Sequence, residues 1–330
     1  MTLTKKLTAL PLALLLCIPL LSGCGATTEK SSSIVCSSAL VCDWVLSVLG
    51  EDAGSYDIHV LGARGSDIHS YEPTVRDIAR IAKATLFVRI GGESEDWASE
   101  VLNSADNPHL TQLSLCDALG DALCSDQDEH EQHEQEHEPT GDVHSSHEGH
   151  DGHYDEHIWF SFEYVVESIE NITQALSHIK PEMAGLYEDN AKSYIGKIRG
   201  LEGEYKALAE SAECKNIVVC DRFPYLYLCE FMGLGYSAAF DGCSAESEAS
   251  FSVVSRLAKR IDEWQLSYVI KTESSDGAIA RAVISATTNK DAKILTLDSM
   301  QSLSANDIGQ KSYLGMLESN LEVLRVAMTK

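Results

Sequence analysis

Two five-residue stretches of the chain repeat one pattern. Asp67-Ile68-His69-Ser70-Tyr71 and Asp155-Glu156-His157-Ile158-Trp159 each read as an acid, a gap, a histidine, a gap and an aromatic ring. A neutral imidazole suits zinc and related borderline metals. A carboxylate nearby can hold such a ring in one orientation by accepting from its other nitrogen. One histidine of this kind would be an ordinary surface residue; two in the same local frame point to a pair of metal ligands. Three acids stand in comparable places elsewhere. Asp221, Glu273 and Asp298 follow the apolar runs "NIVVC", "LSYVIKT" and "KILTL", each of which reads as a strand. An acid just past a strand's carboxyl end either projects toward a ligand or closes a turn, and the sequence leaves both open.

A different kind of histidine crowds the middle of the chain. His130, His133, His137, His144, His147, His150 and His153 lie in a segment, 125–154, made of His, Glu, Asp, Gly and Ser with almost nothing apolar. Such a composition cannot bury enough surface to offset its ordering entropy, so it is expected to be a disordered loop binding further metal loosely. His157 looks like one more of the series, but it belongs to "DEHIWFS", where apolar residues resume. The boundary falls at Tyr154.

The elements that must position these residues alternate strand and helix. "SIVCSS", "YDIHVLG" and "TLFVRIGG" read as strands, with helices over "ALVCDWVLSVLG", "VRDIARIAKA" and "EDWASEVLNSA". "EYVVESIENITQALSHI" is an amphipathic helix. The stretch 181–211, opening on Pro181, carries a helical pattern long enough to cross between two lobes. The alternation then restarts. The predicted class is α/β: two βα lobes with parallel sheets, an N-terminal one over 34–180 and a C-terminal one over 212–330. One long backbone helix joins them, with the metal site in the interlobe cleft.

Charge and the N-terminus bound the setting. A formal charge of −26 over 330 residues, with no basic stripe visible, argues against phosphate binding, and no nucleic-acid partner is expected. Lys5 and Lys6 precede the apolar run "LTALPLALLLCIPLL", which ends in Leu-Ser-Gly-Cys at Cys24. That is a secretory signal over 1–23, and its ending resembles the bacterial lipobox, in which the cysteine is lipidated. Residues 24–33 are then a polar tether. Beyond Cys24 there are eight cysteines and no CxxC pair. In an oxidising compartment an even number is compatible with disulfides, Cys116 with Cys124 for example, while some are equally small buried hydrophobes. There is no HExxH, nucleophile elbow or phosphate-cradling glycine loop, so no catalytic set emerges.

Taken together, "HSYEPT" at His69 to Thr74, the acidic His-rich loop running into "HIWFS", "LTLDSM" and "YLGMLESNLEVL" resemble the metal-binding lipoproteins that capture zinc or manganese for bacterial ABC importers. The resemblance covers essentially everything after the lipobox. It implies a high-affinity, extracytoplasmic zinc-binding protein, lipid-anchored to the bacterial cell membrane, a monomer that hands its ion to a transporter permease. It implies ligands at His69, His157 and Asp298, and a long helix that limits lobe movement. One departure stands out. Counting back from "MGL" puts Arg222 where the family has a third ligand, and a guanidinium cannot ligate a metal. Asp221 is then the favoured substitute, with Glu273 or water as alternatives. The His-rich loop favours Zn2+ over Mn2+. A manganese-binding counterpart, a surface adhesin or storage lipoprotein, and a zinc hydrolase with an open fourth position remain the rival readings.

Overall fold

The computed structural model describes residues 32–62, 68–120, 123, 154–240, 242, 249–288, 290–304 and 306–329. The signal segment with Cys24, Asp67, the seven loop histidines from His130 to His153, Cys124 and Cys243 lie outside them. Two parallel four-stranded sheets form the frame. In the first, β1 (Ser32–Cys36), β2 (Tyr56–Val60), β3 (Leu86–Arg89) and β4 (Thr111–Ser114) stand in the order β2-β1-β3-β4. In the second, β5 (Asn216–Val219), β6 (Gly235–Ala238), β7 (Tyr268–Lys271) and β8 (Lys293–Thr296) repeat that order as β6-β5-β7-β8. The expected pair of α/β lobes is therefore present, and both halves wind alike.

Two strands had no signal in the sequence. β4 is polar and β6 opens on Gly235, and both lie at a sheet edge, where only one neighbour and little apolar burial are needed. The polar tether also ends earlier than its composition suggests. Ser32 and Ser33 already pair with Tyr56 and Asp57.

Helices α1 (Ala39–Leu49), α2 (Val75–Ile81), α3 (Trp97–Ser104), α4 (Leu115–Leu119) and α5 (Phe162–Ile179) belong to the first half. Most begin at a hydroxyl that accepts from the first turn: Ser38, Thr74, Ser114 and Ser161, with Thr74 and Asp77 forming a capping box. The linking helix α6 (Ala184–Ser211) follows a short turn at Pro181–Met183. Its buried residues Tyr187, Ala191, Tyr194, Ile198, Leu201, Tyr205 and Leu208 recur every three or four positions, a single stripe. Gly200 and Gly203 lie on the opposite, exposed side, so packing of the stripe holds the helix despite them. The second half adds α7 (Leu226–Met232), α8 (Phe251–Trp264), α9 (Ala278–Ala286) and α10 (Tyr313–Ala327).

The main core runs through both lobes without a break, from Ile34 and Trp44 through Trp159, Tyr187 and Tyr205 to Tyr225, Leu297 and Tyr313. Hydrogen bonds cross with it: Tyr227 Oη donates to the Asp155 carbonyl at 2.6 Å and Tyr313 Oη to the Trp159 carbonyl at 2.7 Å. A disulfide framework is not what holds this core. Among the described residues Cys36, Cys42, Cys116, Cys214 and Cys220 are free thiols, and these and Cys229 are buried and pack as small apolar side chains. Burial pushes the Cys220 thiol up to about 12, so it is inert as a thiolate.

Candidate metal centre

His69 sits in a short 3-10 turn, Ile68–Ser70, reached from the carboxyl end of β2. His157 opens the turn Ile158–Phe160 that leads into α5. Their rings meet edge to face with centroids 5.3 Å apart, and His157 is only 1% exposed.

Each ring is held by its Nδ1. His157 Nδ1 lies 2.5 Å from Asp155 Oδ1, which also accepts the His157 backbone N–H at 2.7 Å. The acid two positions before His157 therefore fixes both its backbone and its ring. For His69 the partners are different. Its Nδ1 is 3.0 Å from Glu156 Oε1 and also bonds the Ser94 hydroxyl, while Ser94 N donates to Glu156 Oε2 at 3.0 Å. Glu156 is the gap residue of the second motif, read as a spacer in the sequence. It spans from one histidine's segment to the other's ring. Burial pushes its carboxyl up, but the hydrogen bonds from His69 and Ser94 and the nearby histidines outweigh that and leave it below the usual range. Glu95, next in the chain to Ser94, has no such partner. Burial pushes it up to about 7, against a hydrogen bond from Gly91 N at 2.8 Å.

With a carboxylate on each Nδ1, the neutral tautomer of each ring has its proton there and its lone pair on Nε2. Both lone pairs point at one group. Gln301 Nε2 is 2.8 Å from His69 Nε2 and 2.7 Å from His157 Nε2. The partners identify this end of the amide as the nitrogen, since only an –NH2 can donate to two lone pairs.

Gln301 comes from the loop after β8, which is clamped on every side. Asn320 on α10 accepts from Asp298 N and donates to the Asp298 carbonyl, both at 2.8 Å. Glu273 accepts from Ser299 N at 2.7 Å and Ser299 Oγ at 2.9 Å. Trp159 Nε1 donates to the Ser299 carbonyl, and Ile68 N to the Gln301 carbonyl at 3.3 Å. Asp298 Oδ1 takes the Met300 N–H at 2.8 Å, across a buried left-handed turn with Met300 at φ 61°. That conformation is uncommon for a non-glycine residue and strains the backbone where the loop aims Gln301 at the rings.

The remaining acids follow the carboxyl ends of β5, β7 and β8. Asp221 accepts from Thr272 Oγ1 at 2.8 Å and Arg222 N at 2.9 Å, tying the loop after β5 to the loop after β7. Burial, then the charge of Asp298, pushes Glu273 up. Among the described residues no three His, Cys, Asp or Glu side chains gather closely enough to hold one ion. The structure brings His69 and His157 together and leaves Asp298, Asp221 and Glu273 in the adjoining loops. The residues that sequence reasoning missed are Glu156, Ser94 and Gln301. Only Glu156, inside a motif already singled out, carried any signal.

Two like α/β lobes, meeting in a polar site where strand ends of one face a loop of the other, define a cleft-type binding protein. The chain belongs to the family described as "ZnuA: Zinc-uptake complex component A periplasmic", which matches residues 34–327. It is 26% identical over 300 residues to the zinc-binding protein AdcA of Streptococcus pyogenes serotype M1, covering 90% of this chain and 56% of that protein. The chain thus spans about half the length of those streptococcal relatives. It is also 26% identical to the high-affinity zinc uptake system protein ZnuA of Bacillus subtilis, over 94% of both chains. Among solved structures, the fold matches the Zn(II)-bound ZnuA-like domain of Streptococcus pneumoniae AdcA with a TM-score of 0.69 at 22% identity, covering 91% of this chain and 99% of that one. It matches the periplasmic zinc-binding protein TroA of Treponema pallidum with a TM-score of 0.73 at 18% identity, covering 91% and 99%. The family and the two-lobed fold read from the sequence are both borne out.

Proposed function

We propose that the protein captures Zn2+ outside the cytoplasm and hands it to an ABC-type importer. The observation that carries this reading is the convergence of two lone pairs. His69 Nε2 and His157 Nε2 face one point, while buried carboxylates hold their Nδ1 atoms. That is how imidazoles are prepared as ligands: tautomer fixed, ring fixed, basicity raised. Asp298 is the carboxylate donor that the family resemblance implies, with water completing the set. Asp221 and Glu273 hold loops in place of binding the ion. A mixed N/O set of this kind accepts zinc and also manganese. The names of the S. pyogenes and B. subtilis relatives favour zinc.

The mechanism is binding and hand-over, not turnover. The continuous core and the α6 stripe leave little room for lobes to swing, so release proceeds through the loops that carry His69 and Gln301. Lipidation at Cys24 would tether the mature chain to the membrane beside the permease. An adhesin role is the second reading: laminin-binding Lmb of Streptococcus agalactiae, described as having adhesin and metal-transporting activity, shares the fold with a TM-score of 0.71 at 24% identity, covering 90% of this chain and all of that one.

The test is a competition titration of the mature chain with Zn2+ and Mn2+, wild type against His69→Ala. One tight zinc site in the wild type, weakened at least a hundred-fold in the variant, is expected. A tight site that survives His69→Ala sinks the reading.

A further inference from the structure

We propose that Gln301 is a latch that sets the protein's affinity for its ion, holding both imidazole lone pairs until a divalent cation takes them. This rests on the metal-site reading above. A primary amide has two N–H hydrogens, and here they meet two acceptors at 2.8 and 2.7 Å. A carboxylate could not stand there beside neutral imidazoles, because it has no hydrogen to give.

The placement is built into the fold. Gln301 is 4% exposed, and its own carbonyl accepts from Ile68, the residue before His69. Glu273 and Asn320 fix the residues before it, and the left-handed Met300 turns the chain so that residue 301 faces across the cleft. An ion that bonds both Nε2 atoms must break both hydrogen bonds in the same event. Zinc sits about 2.0–2.1 Å from imidazole nitrogen, so the ion and the amide cannot both occupy the point the rings face. The latch therefore subtracts from metal affinity and slows entry. It also ties the loop after β8 to the two histidines when no metal bridges them.

Gln301→Met keeps the length of the side chain and removes both donors; Gln301→Ala removes the side chain. Each is compared with wild type in the mature chain by zinc competition and stopped-flow. With two neutral hydrogen bonds no longer to be broken, zinc should bind about ten-fold tighter, mostly through a faster on-rate. The metal-free variants should also melt lower than metal-free wild type. Weaker binding with a faster off-rate would make Gln301 a ligand and overturn the latch; so would unchanged binding. His69→Ala separates the two ideas. If it keeps tight zinc, the site reading fails and the latch with it; if it loses zinc while the Gln301 variants gain nothing, only the latch fails. Wild-type protein gives a check that needs no variant. One glutamine side-chain amide should be protected from hydrogen exchange without metal and released on adding zinc. A glutamine spectrum that zinc leaves unchanged overturns the proposal.

Discussion

The two lobes wind their sheets identically, yet they use acids in opposite ways. On the N-terminal side Asp155 and Glu156 each grip an imidazole Nδ1, so their charge acts on whatever Nε2 binds. On the C-terminal side Asp221 and Glu273 accept from Thr272 and Ser299, so their charge acts on loop geometry. An acid beside a tight turn fixes a ring in one lobe, and an acid just past a strand end closes a loop in the other. What differs is the partner within reach: a ring nitrogen whose other nitrogen faces Gln301, or the hydroxyls and backbone N–H groups of a neighbouring loop.

The sharpest way to break this contrast is to remove an N-terminal acid and read metal affinity. Asp155→Ala frees the His157 ring and lets its tautomer drift, so zinc affinity should fall about 10- to 100-fold, up to about 2.8 kcal/mol. A competition titration showing less than a two-fold change would put Asp155 with the loop-holding acids of the other lobe.

Why the sequence showed one half of this and not the other follows from the residue types. His157 could be separated from the run before it because apolar residues return at Ile158, Trp159 and Phe160, all buried. The strands under the site were readable for the same reason: β1, β3, β5 and β7 are central and apolar. Glu156 was hidden as a spacer inside its own motif, since its partner His69 is 87 positions away in the chain. Gln301 was hidden more deeply. A neutral amide carries no charge pattern, and the backbone turn that aims it is made by Met300, a residue type with no preference for the left-handed region. Asp221 gave a true signal, an acid past a strand, but spacing alone does not tell a turn from a ligand.

Glu95 offers a smaller effect, on stability, and a sign that distinguishes it from its neighbour Glu156. Its folded pKa is raised by burial from 4.5 to about 7. Between those values the folded protein holds a proton that the unfolded chain has lost, so stability falls as pH rises from about 4.5 through 7. Glu156 is lowered, so its contribution is present above the ordinary carboxyl range and fades only as pH falls through its folded value. Glu95→Gln should remove the first trend alone. At pH 7.5 it should gain roughly 2 kcal/mol, and its melting temperature should no longer drop between pH 5 and 7. A variant with the wild-type slope would show that Glu95 is already ionised in the fold.

Asp221→Ala probes the other lobe and should move the opposite observable. It removes bonds to Thr272 and Arg222. Folding stability should fall by about 1–2 kcal/mol in urea unfolding. Zinc affinity should change less than about three-fold, because the loop after β8 is clamped separately by Glu273 and Asn320. A ten-fold loss of zinc with unchanged stability would instead restore Asp221 as a ligand.

The smallest effect is expected where histidines are most numerous. Deleting 128–153 removes all seven histidines from His130 to His153, a stretch outside the described residues, and keeps Tyr154 and Asp155. Among the described residues, the contacts that hold the His69 and His157 Nδ1 atoms come from Asp155, Glu156 and Ser94, all of which survive the deletion. A fixed pair of rings loses little entropy on binding. The tight site should therefore keep its affinity within about two-fold while the weaker zinc equivalents disappear from the titration. If the tight site goes with the loop, the ion is held by numbers of histidines and not by the geometry of two, and the contrast between the lobes loses its meaning for metal binding.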